Sequence, residues 1–131
     1  MEHQALIQRE LTRSVIGAFF DVYNIMGYGL LESAYAGALT RELTARGHRV
    51  AREVRFVVRY KGYPVGVHRL DMVVDEKLVV EIKSTERVPQ SVLRQLQSYL
   101  KVSKLEVGLL LHFWSVSPIL SSDIQSVVNC E

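Results

Sequence analysis

The feature that most constrains this chain is a pair of apolar runs, residues 78–83 and 106–112, with residues 89–101 between them at helical spacing. Leu78, Val79, Val80 and Ile82 are apolar on both parities of the two-residue strand repeat. A strand of that kind is covered on both faces, and the run at 106–112 reads the same way. Between them, Val92, Leu93, Leu96 and Leu100 form one stripe of a helix, with Pro89 tolerated in its first turn. A strand–helix–strand crossover of this length is right-handed and joins parallel strands. The sheet therefore needs cover on both sides, and the rest of the chain must supply it.

The upstream sequence has the material. Ile7, Leu11, Val15, Ala18, Val22 and Ile25 recur three and four apart, which predicts a long amphipathic helix over residues 6–26. Gly27-Tyr28-Gly29 breaks it, and a second helix runs from about residue 30, with Leu31, Ala34, Tyr35, Ala38, Leu39 and Leu43 on one face. Gly47 is a natural stop. From Val50 the period becomes two, with Val54, Phe56, Val58 and Tyr60 alternating with Glu53, Arg55, Arg59 and Lys61. Lys61-Gly62-Tyr63-Pro64 is a turn, and strands at 67–74 and 78–83 follow, joined by Asp75-Glu76-Lys77. These three strands form an antiparallel meander; residues 121–129 read equally as a short strand or a helical turn. The predicted fold is a mixed α/β sandwich within one domain of 131 residues.

Several function classes fall away. No apolar stretch approaches the ~20 residues that span a bilayer. The N-terminus has no basic region ahead of an apolar one, so a cytoplasmic location is expected. Cys130 is the only cysteine, which excludes an intrachain disulfide and a cysteine zinc cluster; beside the terminus it reads as an unused thiol.

The strand at 78–83 holds a carboxylate and an ammonium in an otherwise apolar run. Buried charges cost several kcal/mol each unless paired or metal-bound. Glu81 and Lys83 share a face by the two-residue period, and Asp71 lies on the neighbouring strand. Asp71 joins that face only if Val74 pairs with Leu78 across a three-residue loop; a two-residue loop would put the acids on opposite faces. Two converging carboxylates are a ligand set for a hard divalent cation such as Mg²⁺ or Mn²⁺. A salt-bridge group at a strand end is the plainer alternative. Gln95 and Tyr99 share one helix face four residues apart, and Glu32 stands in a first helical turn, where capping would explain it.

The run Gly29-x-x-Glu32-x-x-Tyr35, then Asp71, Glu81-x-Lys83 and Gln95-x-x-x-Tyr99 in that order, resembles the GxxExxY protein family of the PD-(D/E)XK nuclease superfamily. The similarity covers about residues 11–111, with Leu70-Asp71 in place of the eponymous Pro-Asp. The resemblance implies a restriction-endonuclease-like α-β-β-β-α-β core, a mixed sheet flanked by helices, here preceded by an extra N-terminal helix. It further implies that Asp71, Glu81 and the Ile82 carbonyl ligate Mg²⁺, that Glu32 supports the metal site, that Lys83 orients or activates water, and that Gln95 and Tyr99 line the site. His112-Phe113-Trp114 departs from the family pattern, where a smaller polar residue and a glycine are expected.

The formal charge of +2 says little, but Arg46, Arg49, Arg52, Arg55, Arg59, Lys61 and Arg69 fall in one segment opposed there only by Glu53. Arg55 and Arg59, on the face opposite Phe56, Val58 and Tyr60, are expected to flank the acidic pocket and attract nucleic acid. The expected function is metal-dependent hydrolysis of phosphodiesters in DNA. A catalytically silent module that binds nucleic acid or regulates is the first alternative; a partner-binding domain using residues 107–111 and Trp114 is the second. The partners that follow are DNA and a second copy of the chain as a homodimer, with no membrane. His3, His48 and His68 read as surface or loop residues, while His112 at a strand end is kept open as a site residue.

Overall fold

A computed structural model describes residues 2–114 and 124–128. Cys130 and the His3 side chain lie outside what it describes. The elements are α1 (Glu2–Met26), α2 (Glu32–Ala45), β1 (Val50–Tyr60), β2 (Tyr63–Val74), β3 (Leu78–Lys83), α3 (Gln90–Ser103), β4 (Val107–His112) and β5 (Ile124–Val128). The five strands form one sheet in the order β1-β2-β3-β4-β5. Only β3 and β4 are parallel, joined through α3. This is the restriction-endonuclease-like core with α1 in front of it. Part of the tail, residues 124–128, is a strand, and β5 gives β4 an antiparallel partner beside the parallel β3.

Two apolar layers hold the sheet. On one face, α1 and α2 bury Val15, Phe19, Tyr35 and Leu39 against Met72, Val80, Ile82 and Leu111. On the other, Leu96 and Leu100 of α3 cover Val73, Val79 and Leu110. Each such leucine or valine contributes about 1.5–3 kcal/mol by leaving water. Phe113 completes the first layer rather than disturbing it: fully buried, it stacks on Tyr35 with centroids 4.0 Å apart and meets Phe19 at 4.6 Å. The second layer depends on Gly108, where a Cβ would lie 2.8 Å from Leu96 Cδ1; the missing side chain lets α3 settle onto β4.

α1 begins four residues before expectation, at Glu2, and the other helix boundaries shift by one or two. Tyr35 donates its hydroxyl to the Gly27 carbonyl at 2.8 Å and accepts the Leu30 N–H at 3.2 Å, so residues 27–30 are held as a loop and α2 starts at Glu32. Gly27 and Gly29 take φ of +68° and +98° there, a region costly for side chains with a Cβ. At the other end Gly47 is the left-handed terminator, with His48 N–H bonded back to the Leu43 carbonyl. Lys61 and Gly62 both have positive φ, a two-residue turn that starts β2 at Tyr63 rather than at Val67. Pro64 is accommodated at a register shift opposite Val58 and Arg59.

In β1 the expected alternation holds from Val54 to Arg59, but it is out of phase with the strand's start. Val50 packs with the α1/α2 layer, whereas Val54 packs with the α3 layer. Residues four apart on a regular strand share a face, so the strand reverses between them, at Glu53 with φ +50°. Tyr60, expected among the inward residues, is 63% exposed at the ribbon's end. β4, offered as a partner-binding edge, is an inner strand with Gly108–Leu111 buried, which removes that surface. Trp114 packs edge-on against Tyr28.

Candidate active site

The link between β2 and β3 decides whether the acids meet. Val74 pairs with Leu78, Val73 with Val79 and Met72 with Val80, so the connection is the three-residue loop that the site requires. Asp75 and Glu76 adopt positive φ to make it, and Lys77 N–H closes on the Val74 carbonyl at 3.0 Å. One step further along this register, Asp71 stands opposite Glu81. There the strand ladder gives way to a side chain: Asp71 Oδ2 accepts the Ile82 N–H at 2.9 Å. In a strand the N–H and C=O of one residue point to the same side, so the Ile82 carbonyl is directed toward Asp71 as well.

Glu81 shares the parity of Val79 and therefore faces the α3 side. Burial pushes its carboxyl up to about 8, reinforced by the Asp71 charge and a hydrogen bond with the Asp71 carboxyl; the Asp71 backbone and the Lys83 charge pull the other way. Its Oε1 is buried with no hydrogen-bond partner among the described residues. Lys83, half-buried, lies two residues on along the same face and pairs in the parallel ladder with His112. His112 therefore shares that face, and its Nε2 meets the Thr85 carbonyl. Tyr99 borders the acids from α3: burial raises its pKa, and the Glu81 and Asp71 charges add to the effect.

The remaining candidates are less closely gathered. Gln95 is exposed, one helical turn before Tyr99. Glu32 is half-buried in the first turn of α2, on the layer opposite α3. The glycines and the tyrosine of its motif build the loop. Among the described residues, no group of three or more His, Cys, Asp and Glu converges. Arg55 and Arg59 are exposed, but the reversal at Glu53 turns them away from this site: Phe56 faces the α3 side opposite His68, so the arginines lie on the other face. They do not flank the pocket directly.

Sequence reasoning missed His68. Read as a surface residue, it is half-buried and its ring meets Tyr99 edge-on at 4.4 Å. The available signal was parity, since His68 alternates in phase with Leu70 and Gly66. Its contact with α3 depends on packing that the sequence does not contain.

The donor set fits a hard divalent cation. Two carboxylates lie side by side, one with a buried oxygen lacking any donor, and a main-chain carbonyl is directed toward them. The family model of the PD-(D/E)XK nuclease superfamily matches residues 9–122, and the chain belongs to that superfamily. Nuclease is thus the class of activity its fold carries. No curated protein and no solved structure matches the chain. No helix among the described residues is long and apolar enough to cross a membrane.

Proposed function

We propose that this chain is a Mg²⁺-dependent (or Mn²⁺-dependent) phosphodiesterase acting on DNA in the cytoplasm, and that its Gly29-x-x-Glu32-x-x-Tyr35 run places it in the GxxExxY branch of the superfamily. The observation that carries this reading is the Asp71/Glu81 pair, with a buried carboxylate oxygen that lacks a donor and Lys83 on the same face. An unpaired buried acid is costly to keep, and a bound cation removes that cost. Asp71, Glu81 and the Ile82 carbonyl would hold the ion; Glu32, on the opposite layer, does not join them among the described residues. When bound, Mg²⁺ supplies Lewis-acid stabilisation of phosphate charge and lowers the pKa of water.

The chain's own groups do the rest. Asp71 is oriented by the Ile82 N–H, which fixes one of its oxygens beside Glu81. Lys83 holds an ammonium where it neutralises developing phosphate charge and orients the attacking water. Tyr99 offers a hydroxyl at the edge of the acids, steadied by His68, and Gln95 extends the same helix face toward substrate. Arg55 and Arg59 attract the polyanion without reading its sequence.

The test is cleavage of plasmid DNA with Mg²⁺ or Mn²⁺. Cleavage that disappears in EDTA and in a folded Lys83→Ala variant supports the reading; metal-independent cleavage, or full activity of that variant, overturns it. One observation favours a second reading, a binding module that keeps the nuclease fold: no third acidic side chain joins the pair among the described residues. Binding of DNA without cleavage under every metal tried would select it.

A further inference from the structure

The β1–β2 ribbon carries charge that the acidic site does not use. Pairing of β2 with β3 ends at Met72, whereas β1 and β2 stay paired to Tyr60 and Tyr63. Residues 54–70 thus form a two-stranded arm. Paired residues 54–60 give it a length of about 20 Å, at about 3.3 Å per residue. One face is covered in part by α3, through Val54, Leu70 and the His68–Tyr99 contact. The other face is open.

On the open face Arg55 stands directly across from Arg69, and Val57 directly across from Val67, with Arg59 next along β1. All five are exposed, Val57 by 40% and Val67 by 52%. Residues 54–70 include Arg55, Arg59, Lys61 and Arg69 and no carboxylate. Like charges placed directly opposite destabilise a strand pair. Among the described residues none of the three arginines makes an ion pair, and Arg59 reaches only the Gly62 carbonyl at 3.3 Å. An isolated ribbon is marginal in water, so this charge is retained at the expense of the arm's own stability. A polyanion neutralises it.

We infer that the arm seats this face in a groove of double-stranded nucleic acid, with Arg55, Arg59 and Arg69 on the phosphates and the Val57/Val67 pair toward the base edges. This rests on the nucleic-acid reading above and names the form of the substrate. An apolar centre flanked by cations complements a groove, whose floor offers base edges between two phosphate rows. A two-stranded ribbon fits the major groove, about 12 Å wide. A single strand has one phosphate row and is gripped by stacked aromatic side chains. The exposed tyrosines, Tyr60 and Tyr63, belong by register to the face that Phe56 and His68 share, not to the arginine face.

The experiment is fluorescence anisotropy of the full chain with a labelled 20-base-pair duplex and with one of its strands, in EDTA, between about 50 and 200 mM salt. The duplex binds at least tenfold tighter than the single strand. The folded Arg55→Ala/Arg69→Ala variant lowers the slope of log affinity against log salt by about 2, one unit per lost phosphate contact. Arg55→Lys/Arg69→Lys keeps the slope, and Val57→Thr/Val67→Thr weakens duplex binding severalfold with the slope unchanged. An unchanged slope in the alanine variant, or equal affinity for the single strand, overturns the arm's role. Hydrolysis does not enter an EDTA measurement, so the two proposals fail separately. Arm-independent binding beside Lys83-dependent cleavage removes the arm alone; arm-dependent duplex binding without cleavage removes the hydrolytic reading alone.

Discussion

The β2–β3 hairpin holds two partly buried carboxylates in opposite situations. Asp75, in the turn, has both oxygens satisfied: Oδ2 by His48 Nδ1 at 2.7 Å and Oδ1 by the Arg49 N–H at 2.8 Å. Burial works against its charge, but these hydrogen bonds and the His48 and Lys77 charges outweigh it and hold its pKa below the ordinary value. The His48 ring is also bonded through Nε2 to Ser14 Oγ at 2.7 Å, so the turn is tied to α1. Glu81, six residues on, is buried beside another carboxyl, with one oxygen unpartnered and its pKa raised to about 8. One acid serves the fold, and the other is held at the fold's expense. Packing makes both, and only the completeness of the hydrogen bonding distinguishes them.

The sharpest break of this comparison is a charge-removing change at each acid. Glu81→Gln is expected to lower metal-dependent cleavage at least a hundredfold, while Asp75→Asn leaves the rate per folded molecule unchanged; a plasmid-nicking assay on both proteins checks it. Stability responds in the reverse order. Asp75→Ala removes two hydrogen bonds to a charged group and is expected to cost about 1–3 kcal/mol, read by urea unfolding at pH 7. Because the folded-state pKa of Asp75 is depressed, this contribution is present above the ordinary carboxylate pKa and disappears as pH falls below it. Wild type and variant should therefore converge in acid.

For Glu81 the sign is opposite. Its folded-state pKa is raised, so the associated stability is complete below the ordinary value of 4.5 and is lost as pH rises through about 8. Glu81→Gln is accordingly expected to raise Tm by about 3–5 °C at pH 9 in EDTA and to change it little at pH 5. Adding Mn²⁺ should raise the wild-type Tm more at pH 9 than at pH 6, since binding displaces the proton, and should do little for the variant. The smallest effect belongs to the turn's other acid. Glu76 faces Arg49 at 3.9 Å with both side chains more than four-fifths exposed, and Arg49→Ala should leave Tm unchanged within error.

Much of the site was legible in the chain. A run apolar on both parities that nevertheless contains Glu81 and Lys83 marks a place where a charge is kept against its solvation cost. Which face Asp71 takes was legible only as a condition, a three-residue loop between Val74 and Leu78, and the observed pairing meets it. Gln95 and Tyr99 were placed on one helix face by spacing alone, yet only Tyr99 lies against the acids, because the packing of Leu96 and Leu100 onto β4 sets the helix's rotation and height. The side of the sheet that Arg55 and Arg59 occupy was not legible. It turns on the single left-handed residue Glu53, which the apolar alternation on either side conceals.

Periodicity by itself determined the order of elements from α1 to β4 and the parallel β3–β4 crossover, because these follow from local geometry and from which faces must leave water; the β2–β3 register and β5 came from the tertiary structure. Gly47 and the loop of Gly27 and Gly29 were determined locally, since the bonds that fix them, His48 N–H to Leu43 and the Tyr35 hydroxyl to Gly27 and Leu30, join residues close in the chain. Tertiary structure alone decided that Phe113 fills the aromatic core, that β5 rather than solvent borders β4, and that His68 meets Tyr99. It also decided that Asp75 is satisfied while Glu81 is not. Each of these depends on groups far apart in the chain meeting at ångström distances, and neither the period nor the propensity of a segment encodes what will lie across from it.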